Sequence, residues 1–283
     1  MKIGIVDGVF TGVYGYQEGL RRMRALGFEC IDYQGFINTD KELFSFGPDA
    51  FEAYLKAQRK MIEDSGLEII QSHGPWCWPP HNATPEERAE RFEKMERSIL
   101  GTAIIGCKNF VIHPIIPFTT DDAPRANETW EMNLEFFGRL CEIARQHEVV
   151  ICFENMPWSK FSLASPEAIA RFVKQINSPW FKVCLDTGHC LTLGIQPADG
   201  VRQIGKELLQ VLHVHDNNGL NDFHWLPYNG IGDWAAFTKA LQEIGFDGTL
   251  SLEAGLSKKL PLDIRDNAER MLYQITAKLA ERL

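Results

Sequence analysis

The sequence predicts an α/β fold of the (β/α)8 TIM-barrel class, formed as a single domain over residues 1–283. Eight short apolar segments recur along the chain with helical patterns between them, and continuous apolar runs of this length are typical of parallel strands buried on both faces. The chain has 283 residues and no linker rich in Gly, Ser or Pro, which suits one barrel of about 250 residues. An open, doubly wound sheet is the alternative.

The predicted strands are spaced as expected for repeated βα units. They cover approximately residues 2–6, 28–32, 67–72, 108–113, 148–154, 181–186, 209–215 and 248–253. Glycines precede several of them, as in Ala25-Leu26-Gly27-Phe28 and Glu243-Ile244-Gly245-Phe246. Glycine ends helices well because it adopts the left-handed conformation without a Cβ penalty, so these positions indicate a helix that ends just before a strand.

Helical patterns fill the intervals between the strands. Apolar residues at three- and four-residue steps mark one helix at Phe92, Met95, Ile99 and Ala103. This helix opens with Thr84-Pro85-Glu86-Glu87, in which Thr84 and Glu87 predict a capping box. Ser165-Pro166 predicts a similar start for a later helix, and the apolar spacing over residues 264–279 predicts a C-terminal helix that packs against the barrel wall.

The composition is that of a globular protein. With 45% hydrophobic and 24% charged residues the chain is neither disordered nor collagen-like, and its net charge of −9 disfavours nonspecific binding to nucleic acid or anionic membranes. No apolar run approaches the roughly 20 residues of a membrane span, and the opening apolar stretch meets Asp7 too early for a secretory signal. We therefore expect a cytoplasmic protein. Its seven cysteines form no Cys-x-x-Cys pair, so we expect buried free thiols.

Six of the predicted strands end in His, Asp or Glu, which is informative because barrel active sites form at the carboxyl ends of the strands. These residues are His73, His113, Glu154, Asp186 followed by His189, His213 with His215, and Glu253. Carboxylates and imidazoles gathered at one barrel mouth would repel and desolvate one another unless a cation compensated them. The pattern predicts a divalent ion, with Mn²⁺, Mg²⁺, Co²⁺ and Zn²⁺ as the candidates.

Four segments carry a family resemblance: Glu154-Asn155, Asp186-Thr187-Gly188-His189, His213-Val214-His215-Asp216-Asn217 and Leu252-Glu253. They resemble the xylose isomerase-like TIM-barrel superfamily, which contains sugar isomerases and epimerases as well as endonuclease IV. The resemblance implies a metal bound by Glu154, Asp186, His213 and Glu253, with His189 near the substrate. Spacing alone does not choose between His213 and His215, and the resemblance favours His213.

The mechanism that this resemblance implies is proton transfer beside a carbonyl, through an enediolate. Glu154 and Glu253 would be the catalytic pair, one removing a proton from carbon and the other returning it, with His189 assisting. In the alternative, both glutamates only bind metal, and water or a histidine carries the proton. One departure is Gly219, which stands where many ketose 3-epimerases carry an arginine.

Endonuclease IV is matched at further positions. His73 and His113 correspond to its two strand-end histidines, and His189, Asp222 and His224 correspond to the set that holds a third zinc, so additional metal ions at His73, His113, Asp222 and His224 are the alternative. Three zinc ions would suit phosphodiester hydrolysis at abasic DNA. A metal-dependent lyase, dehydratase or hydrolase on the same fold, and a noncatalytic sugar-binding module, also stay open.

The loops after the strands favour a small substrate over nucleic acid. They contain almost no Lys or Arg apart from Arg125 and Lys160, whereas a DNA enzyme needs basic residues along its groove. They are instead rich in aromatic residues, which can stack on a sugar face. We expect substrate contacts from Trp76, Trp78, Trp158, His215 and Trp225. The predicted partner is a sugar or polyol, and a homo-oligomer stays open.

Asp7 ends the first strand and contacts either substrate or backbone, while His81 and His147 are expected at the surface.

Overall fold

The computed structural model describes residues 1–80 and 82–283, so His81 lies outside the described residues. Within these ranges all eight predicted strands are present, each with its bounds within a few residues of the expected ones. The strands are β1 (Ile3–Val6), β2 (Cys30–Tyr33), β3 (Glu68–His73), β4 (Asn109–Ile112), β5 (Val150–Glu154), β6 (Phe181–Asp186), β7 (Leu209–His213) and β8 (Leu250–Leu252).

The strands are parallel and follow the chain around a barrel. Each of β1 to β6 pairs with the next strand in sequence, and β1 also pairs with β8. The remaining gap is closed just beyond β7, where the Val214 N–H donates to the Ser251 carbonyl (2.9 Å) and the Glu253 N–H donates to the Val214 carbonyl (3.0 Å). The (β/α)8 prediction is therefore confirmed, and the open-sheet alternative is excluded because an open sheet would leave these two edges unpaired.

Helices occupy the intervals between the strands. They are α1 (Gly8–Tyr14), α2 (Tyr16–Leu26), α3 (Pro48–Asp64), α4 (Pro85–Ile104), α5 (Ala126–Gln146), α6 (Pro166–Ile176), α7 (Thr187–Thr192), α8 (Pro197–Ile204), α9 (Trp234–Ile244) and α10 (Leu262–Ala280). The predicted capping box is present at the start of α4, where Thr84 accepts from the Glu87 N–H. Gly27 and Gly245 follow α2 and α9 with φ of +112° and +65°, as expected for residues that end a helix.

The interior of the barrel explains why polar residues lie at the strand ends. Side chains alternate between the two faces of a strand, so residues two apart point the same way. A small apolar cluster is formed by Val111, Cys152, Cys184 and Val211. Glu154, Asp186 and His213 each follow a member of this cluster by two residues, so they point into the barrel one layer closer to its mouth. A separate and larger apolar cluster fills the space between strands and helices.

Helix α10 packs against α1 and α2, the first two helices of the chain. Its Glu269 is fully buried and accepts hydrogen bonds from Arg265 Nε (2.8 Å), Arg22 Nη2 (3.0 Å) and the Tyr14 hydroxyl (3.0 Å). This one carboxylate ties α1 and α2 to the C-terminal helix. The arrangement satisfies the sequence expectation that α10 returns to the barrel wall.

Two composition-based expectations concern thiols and membranes. In the part of the chain that the structure describes, every cysteine is a free thiol and all except the half-buried Cys77 are buried, as expected. Burial raises the pKa of the Cys152 and Cys184 thiols inside the barrel, which keeps them protonated. Across the same described ranges, none of the helices combines the length and apolar character needed to cross a membrane.

Candidate metal centre at the barrel mouth

Four donors from four strands meet at the mouth of the barrel. Glu154 ends β5, Asp186 ends β6, His213 ends β7 and Glu253 follows β8, and one ligand atom of each lies within 4.8 Å of those of the others. Two ligands on opposite sides of one ion lie roughly 4–5 Å apart, because metal–ligand bonds are about 2.0–2.3 Å long. The four side chains that the sequence singled out as a ligand set are thus close enough together to share one ion.

His213 lies at the centre of this group. Its Nδ1 is 2.9 Å from Glu154 Oε1 and 3.1 Å from Glu253 Oε2, while its Nε2 is 2.9 Å from Asp32 Oδ2. Burial by itself would lower the pKa of this imidazole, but the negative groups around it outweigh burial and raise the pKa well above its ordinary value. Without a metal ion the imidazolium therefore supplies the positive charge that these carboxylates need.

Glu154 connects the central group to the histidines of β3 and β4. Its Oε2 atom is buried and accepts no well-aligned hydrogen bond from the described residues, although it lies 3.1 Å from His113 Nε2 and 3.6 Å from His73 Nε2. Burial opposes ionisation of Glu154, yet the charge of His213 and the nearby nitrogens of His213 and His113 hold the pKa of this carboxyl well below its usual range. Burial lowers the pKa of His113 itself to about 4, so the ring is neutral and one of its nitrogens keeps a lone pair that can bind a metal ion.

Asp186 belongs to both the central group and a neighbouring one. Its Oδ1 accepts from the His189 backbone N–H (2.6 Å), which caps the first turn of α7, and its Oδ2 accepts from His215 Nε2 (2.9 Å). His215 Nδ1 is buried and has no hydrogen-bond partner among the described residues. His215 pairs with Asp186, whereas His213 faces Glu154 and Glu253. The tertiary structure thereby separates two histidines that sequence spacing could not distinguish.

A second cluster lies beside the first, around Asp222. Its Oδ2 is 3.1 Å from both His189 Nε2 and His224 Nε2, and the His224 ring stacks on His215 with centroids 4.1 Å apart. Although burial opposes protonation, Asp186 and Asp222 raise the pKa of His189 to about 10, and Asp222 and Glu253 raise that of His224 to about 10. The residues matched to a third zinc are thus in contact with one another.

Comparison with known proteins agrees with this architecture. A sequence profile of the xylose isomerase-like TIM barrel family matches residues 20–274. The chain belongs to this family.

Individual relatives within the family differ in what they do. An uncharacterized protein of Methanocaldococcus jannaschii is 30% identical over 209 residues, 71% of this chain and 68% of the relative. The D-psicose 3-epimerase of Enterocloster bolteae is 24% identical over 270 residues, 89% of this chain and 82% of the enzyme. A probable endonuclease 4 of Mycoplasmopsis agalactiae is 26% identical over 163 residues, 57% of this chain and 54% of the relative.

Solved structures show the same fold. A crystal structure of D-psicose 3-epimerase in the presence of D-fructose superposes with a TM-score of 0.78 and covers 99% of each chain at 18% identity. At this level of identity the similarity shows the barrel architecture and leaves the activity to be inferred from the site.

In this xylose isomerase-like barrel, aromatic side chains form a wall on one side of the mouth. The Trp76 ring meets the His113 ring edge-on with centroids 4.4 Å apart, and Trp78 stacks on Trp158 at 5.2 Å. Trp78 is 61% exposed, so one of its faces is free. Trp225 lies on another loop, where it stacks on Phe223 at 4.9 Å. All of these tryptophans belong to loops that follow the carboxyl ends of the strands, where the sequence placed the substrate contacts.

Two buried polar residues next to the site were not among the residues predicted from the sequence. Asp32 lies in β2 and Gln71 in β3, and both are fully buried. Gln71 Nε2 donates to Asp32 Oδ2 (3.0 Å), the same atom that His213 Nε2 approaches. The sequence did contain a signal for them, because a carboxylate or an amide inside an apolar strand needs a hydrogen-bonding partner in the protein interior. Asp7, the other unassigned carboxylate, accepts from the Gln34 backbone N–H (3.2 Å), so of its two expected contacts the backbone one is present.

Proposed function

We propose that this protein is a divalent-metal-dependent isomerase or epimerase that acts on a small sugar or a related polyol or keto acid. The observation that carries the proposal is the convergence of Glu154, Asp186, His213 and Glu253 at one end of a closed barrel, with their ligand atoms within 4.8 Å. Two of these, Glu154 and Glu253, are glutamates whose carboxylates can exchange protons with carbon. The epimerase relatives on the same fold support the choice of reaction class.

The donor set suits a divalent ion. Three carboxylates and one imidazole provide the oxygen and nitrogen ligands that Mn²⁺, Co²⁺ and Zn²⁺ accept, and the oxygen-rich composition also accommodates Mg²⁺. Among the described residues the buried Glu154 Oε2 has no hydrogen-bond partner, and a buried carboxylate is costly unless its charge is compensated. A divalent ion held by the four donors would compensate the charge of Glu154 and would replace the proton that otherwise resides on His213.

A bound ion would supply Lewis-acid polarisation of a substrate carbonyl. The chain's own residues would then move the protons. In an epimerisation, one glutamate takes the proton from the carbon beside the carbonyl and the electron pair moves towards the carbonyl oxygen; the other glutamate returns a proton to that carbon from the opposite face, and the bond order is restored. Glu253 is 15% exposed at its side chain whereas Glu154 is 1% exposed, so Glu253 faces the open mouth. His189 contacts the Asn155 carbonyl through Nδ1 (2.6 Å) and Asp222 Oδ2 through Nε2 (3.1 Å), so binding a substrate hydroxyl would require its ring to release one of these partners.

The surroundings of the mouth favour an uncharged, hydroxyl-rich substrate. The two basic residues predicted in the loops are both engaged at the surface, since Lys160 pairs with Asp121 (2.7 Å) and Arg125 pairs with Glu128 (2.7 Å). Trp76, Trp78 and Trp158 present ring faces and edges on which a sugar ring can stack. Stacking on aromatic rings is the recognition pattern expected for a sugar. The guanidinium of Arg91, near Trp76, already donates to the His113 carbonyl (3.0 Å) and to Asn82 Oδ1 (2.8 Å).

Exchange of a carbon-bound proton tests this proposal. Purified protein loaded with Mn²⁺ is incubated in D2O with a panel of ketoses, and deuterium at the carbon beside the carbonyl is followed by NMR. Wild type is expected to exchange at least one substrate. Glu154→Gln and Glu253→Gln should each lower the rate by at least about 10²-fold, because they remove a general acid–base group. Glu142→Gln is the matched control, since Glu142 is exposed on α5 and pairs with Arg145. Exchange that survives in both active-site variants would refute the assignment of the glutamates.

The Asp222 cluster supports one alternative, a zinc phosphodiesterase acting on abasic DNA. The chain has a counterpart for each of the nine zinc-binding residues of endonuclease IV, and the contacts of Asp222 with His189 and His224 would suit a further ion. Elemental analysis separates the two proposals: one labile Mn²⁺, Co²⁺ or Mg²⁺ per chain supports the isomerase. Three zinc ions, together with EDTA-sensitive nicking of abasic duplex DNA that is lost in His113→Ala and His224→Ala, would establish the phosphodiesterase instead.

A further inference from the structure

Asp32 is a buried carboxylate with unusual surroundings. Its side chain is fully buried in β2, and among the described residues its only ion-pair partner is His213. Three donors surround it: His213 Nε2 at 2.9 Å and Gln71 Nε2 at 3.0 Å both reach Oδ2, and Gln34 Nε2 at 3.2 Å reaches Oδ1. Burying a carboxylate without a lysine or arginine partner costs folding free energy. The position of Asp32 next to the candidate metal centre suggests that the residue has a function there.

Asp32 lies on the opposite side of His213 from the proposed ligands. The Nδ1 edge of the ring faces Glu154 and Glu253, whereas the Nε2 edge faces Asp32. Asp32 is accordingly absent from the groups of described side chains whose ligand atoms lie close enough to share an ion. It therefore touches the proposed centre through one histidine and not through the ion.

We propose that Asp32 is a positioning residue that sets the tautomer and orientation of His213. By accepting a hydrogen bond from the Nε2–H group, Asp32 favours the tautomer whose Nδ1 lone pair points towards Glu154 and Glu253, which is the form that can bind an ion. The inference rests on the proposed function, because it concerns the same metal centre. It adds a residue from β2, a strand that contributes no donor of its own to the centre.

The carboxylate of Asp32 is itself held in place by the two glutamine side chains. Gln71 Nε2 donates to the same oxygen as His213, while the other amide atom, Gln71 Oε1, is buried and has no partner in the described part of the chain. The Gln71 amide is thus oriented to donate to Asp32 at the expense of its own acceptor. With Gln34 on Oδ1, the carboxylate has little freedom to rotate, so it fixes the plane of the His213 ring.

The test is the affinity of the protein for Mn²⁺, measured by isothermal titration calorimetry on metal-free wild type and variants. Asp32→Asn keeps the shape of the side chain but removes its charge, and its amide can donate to Nε2 and so favour the wrong tautomer. We expect Mn²⁺ binding to weaken by about 10- to 100-fold, as is typical when the partner of a ligating histidine is lost. Asp122→Asn is the matched control, because Asp122 is equally buried but binds Ser162 and touches none of the donors. Its Mn²⁺ affinity should stay within about twofold of wild type.

A second variant keeps the inference testable if Asp32→Asn does not fold. Gln71→Met removes the amide that steadies Asp32 while leaving Asp32 and His213 intact, and should weaken Mn²⁺ binding by about threefold, the equivalent of one modest hydrogen bond. A folded Asp32→Asn protein, or failing that a folded Gln71→Met protein, that binds Mn²⁺ as tightly as wild type would overturn the positioning role. If wild type itself binds no Mn²⁺, Co²⁺, Mg²⁺ or Zn²⁺, the proposed function fails instead, so the two failures are distinguishable.

Discussion

The buried carboxylate of Asp7 should make the stability of this protein depend on pH in an unusual direction. Asp7 is 3% exposed, and burial raises its pKa from 3.8 to about 7. The folded protein therefore keeps a proton on Asp7 at pH values where the unfolded chain has lost it. A raised pKa of this kind supplies stability that is fully present below pH 3.8 and is lost as the pH rises through about 7.

Replacement of Asp7 by Asn removes this titration while keeping an oxygen that can accept from the Gln34 N–H. Between about pH 5 and pH 7 the disadvantage of the wild-type carboxyl should grow by about 1.4 kcal/mol for each pH unit, or roughly 2.7 kcal/mol in total. Above pH 7 the difference should level off. This is a substantial fraction of the roughly 5–15 kcal/mol that stabilises a typical domain.

Urea unfolding of wild type and Asp7→Asn at several pH values, followed by circular dichroism, measures this difference. Comparing the two proteins at each pH cancels the titration of groups that they share. The variant should gain stability over wild type as the pH rises from 5 to 7. A difference in unfolding free energy that is constant across this range would show that Asp7 is not protonated in the folded state, and the reasoning from burial would be wrong.

Two further predictions concern the C-terminal helix and the aromatic wall. Glu269→Gln leaves Arg265 and Arg22 without their buried carboxylate and should lower the free energy of unfolding by about 3–5 kcal/mol in urea titrations, whereas Glu281→Gln on the exposed pair with Lys278 should change it by less than about 0.5 kcal/mol. A loss below 1 kcal/mol for Glu269→Gln would contradict the role given to this residue. Trp78→Ala should weaken binding of the sugar identified by deuterium exchange by about threefold to tenfold, because a stacking face is lost. The free energy of unfolding should change little, because Trp78 is largely exposed. Calorimetric titration with the sugar measures the affinity, and an unchanged affinity would remove Trp78 from the substrate site.

Much of the fold could be predicted from local sequence because its signals are local. Short apolar runs marked the strands, and the capping box at Thr84 and Glu87 marked the start of α4. The order of the strands then followed from repeated βα units, which allow few arrangements. Polar residues at strand ends could likewise be assigned to one rim of the barrel, because all parallel strands finish at the same end.

The tertiary structure decided which of these polar residues face one another. His213 and His215 are two residues apart, yet one contacts Glu154 and Glu253 and the other contacts Asp186. Asp32 and His213 are separated by 181 positions in the chain and meet only because the barrel closes. Sequence spacing fixes which face of a strand a side chain occupies, but the partner across the barrel depends on strand tilt, register and closure, which are properties of the whole sheet.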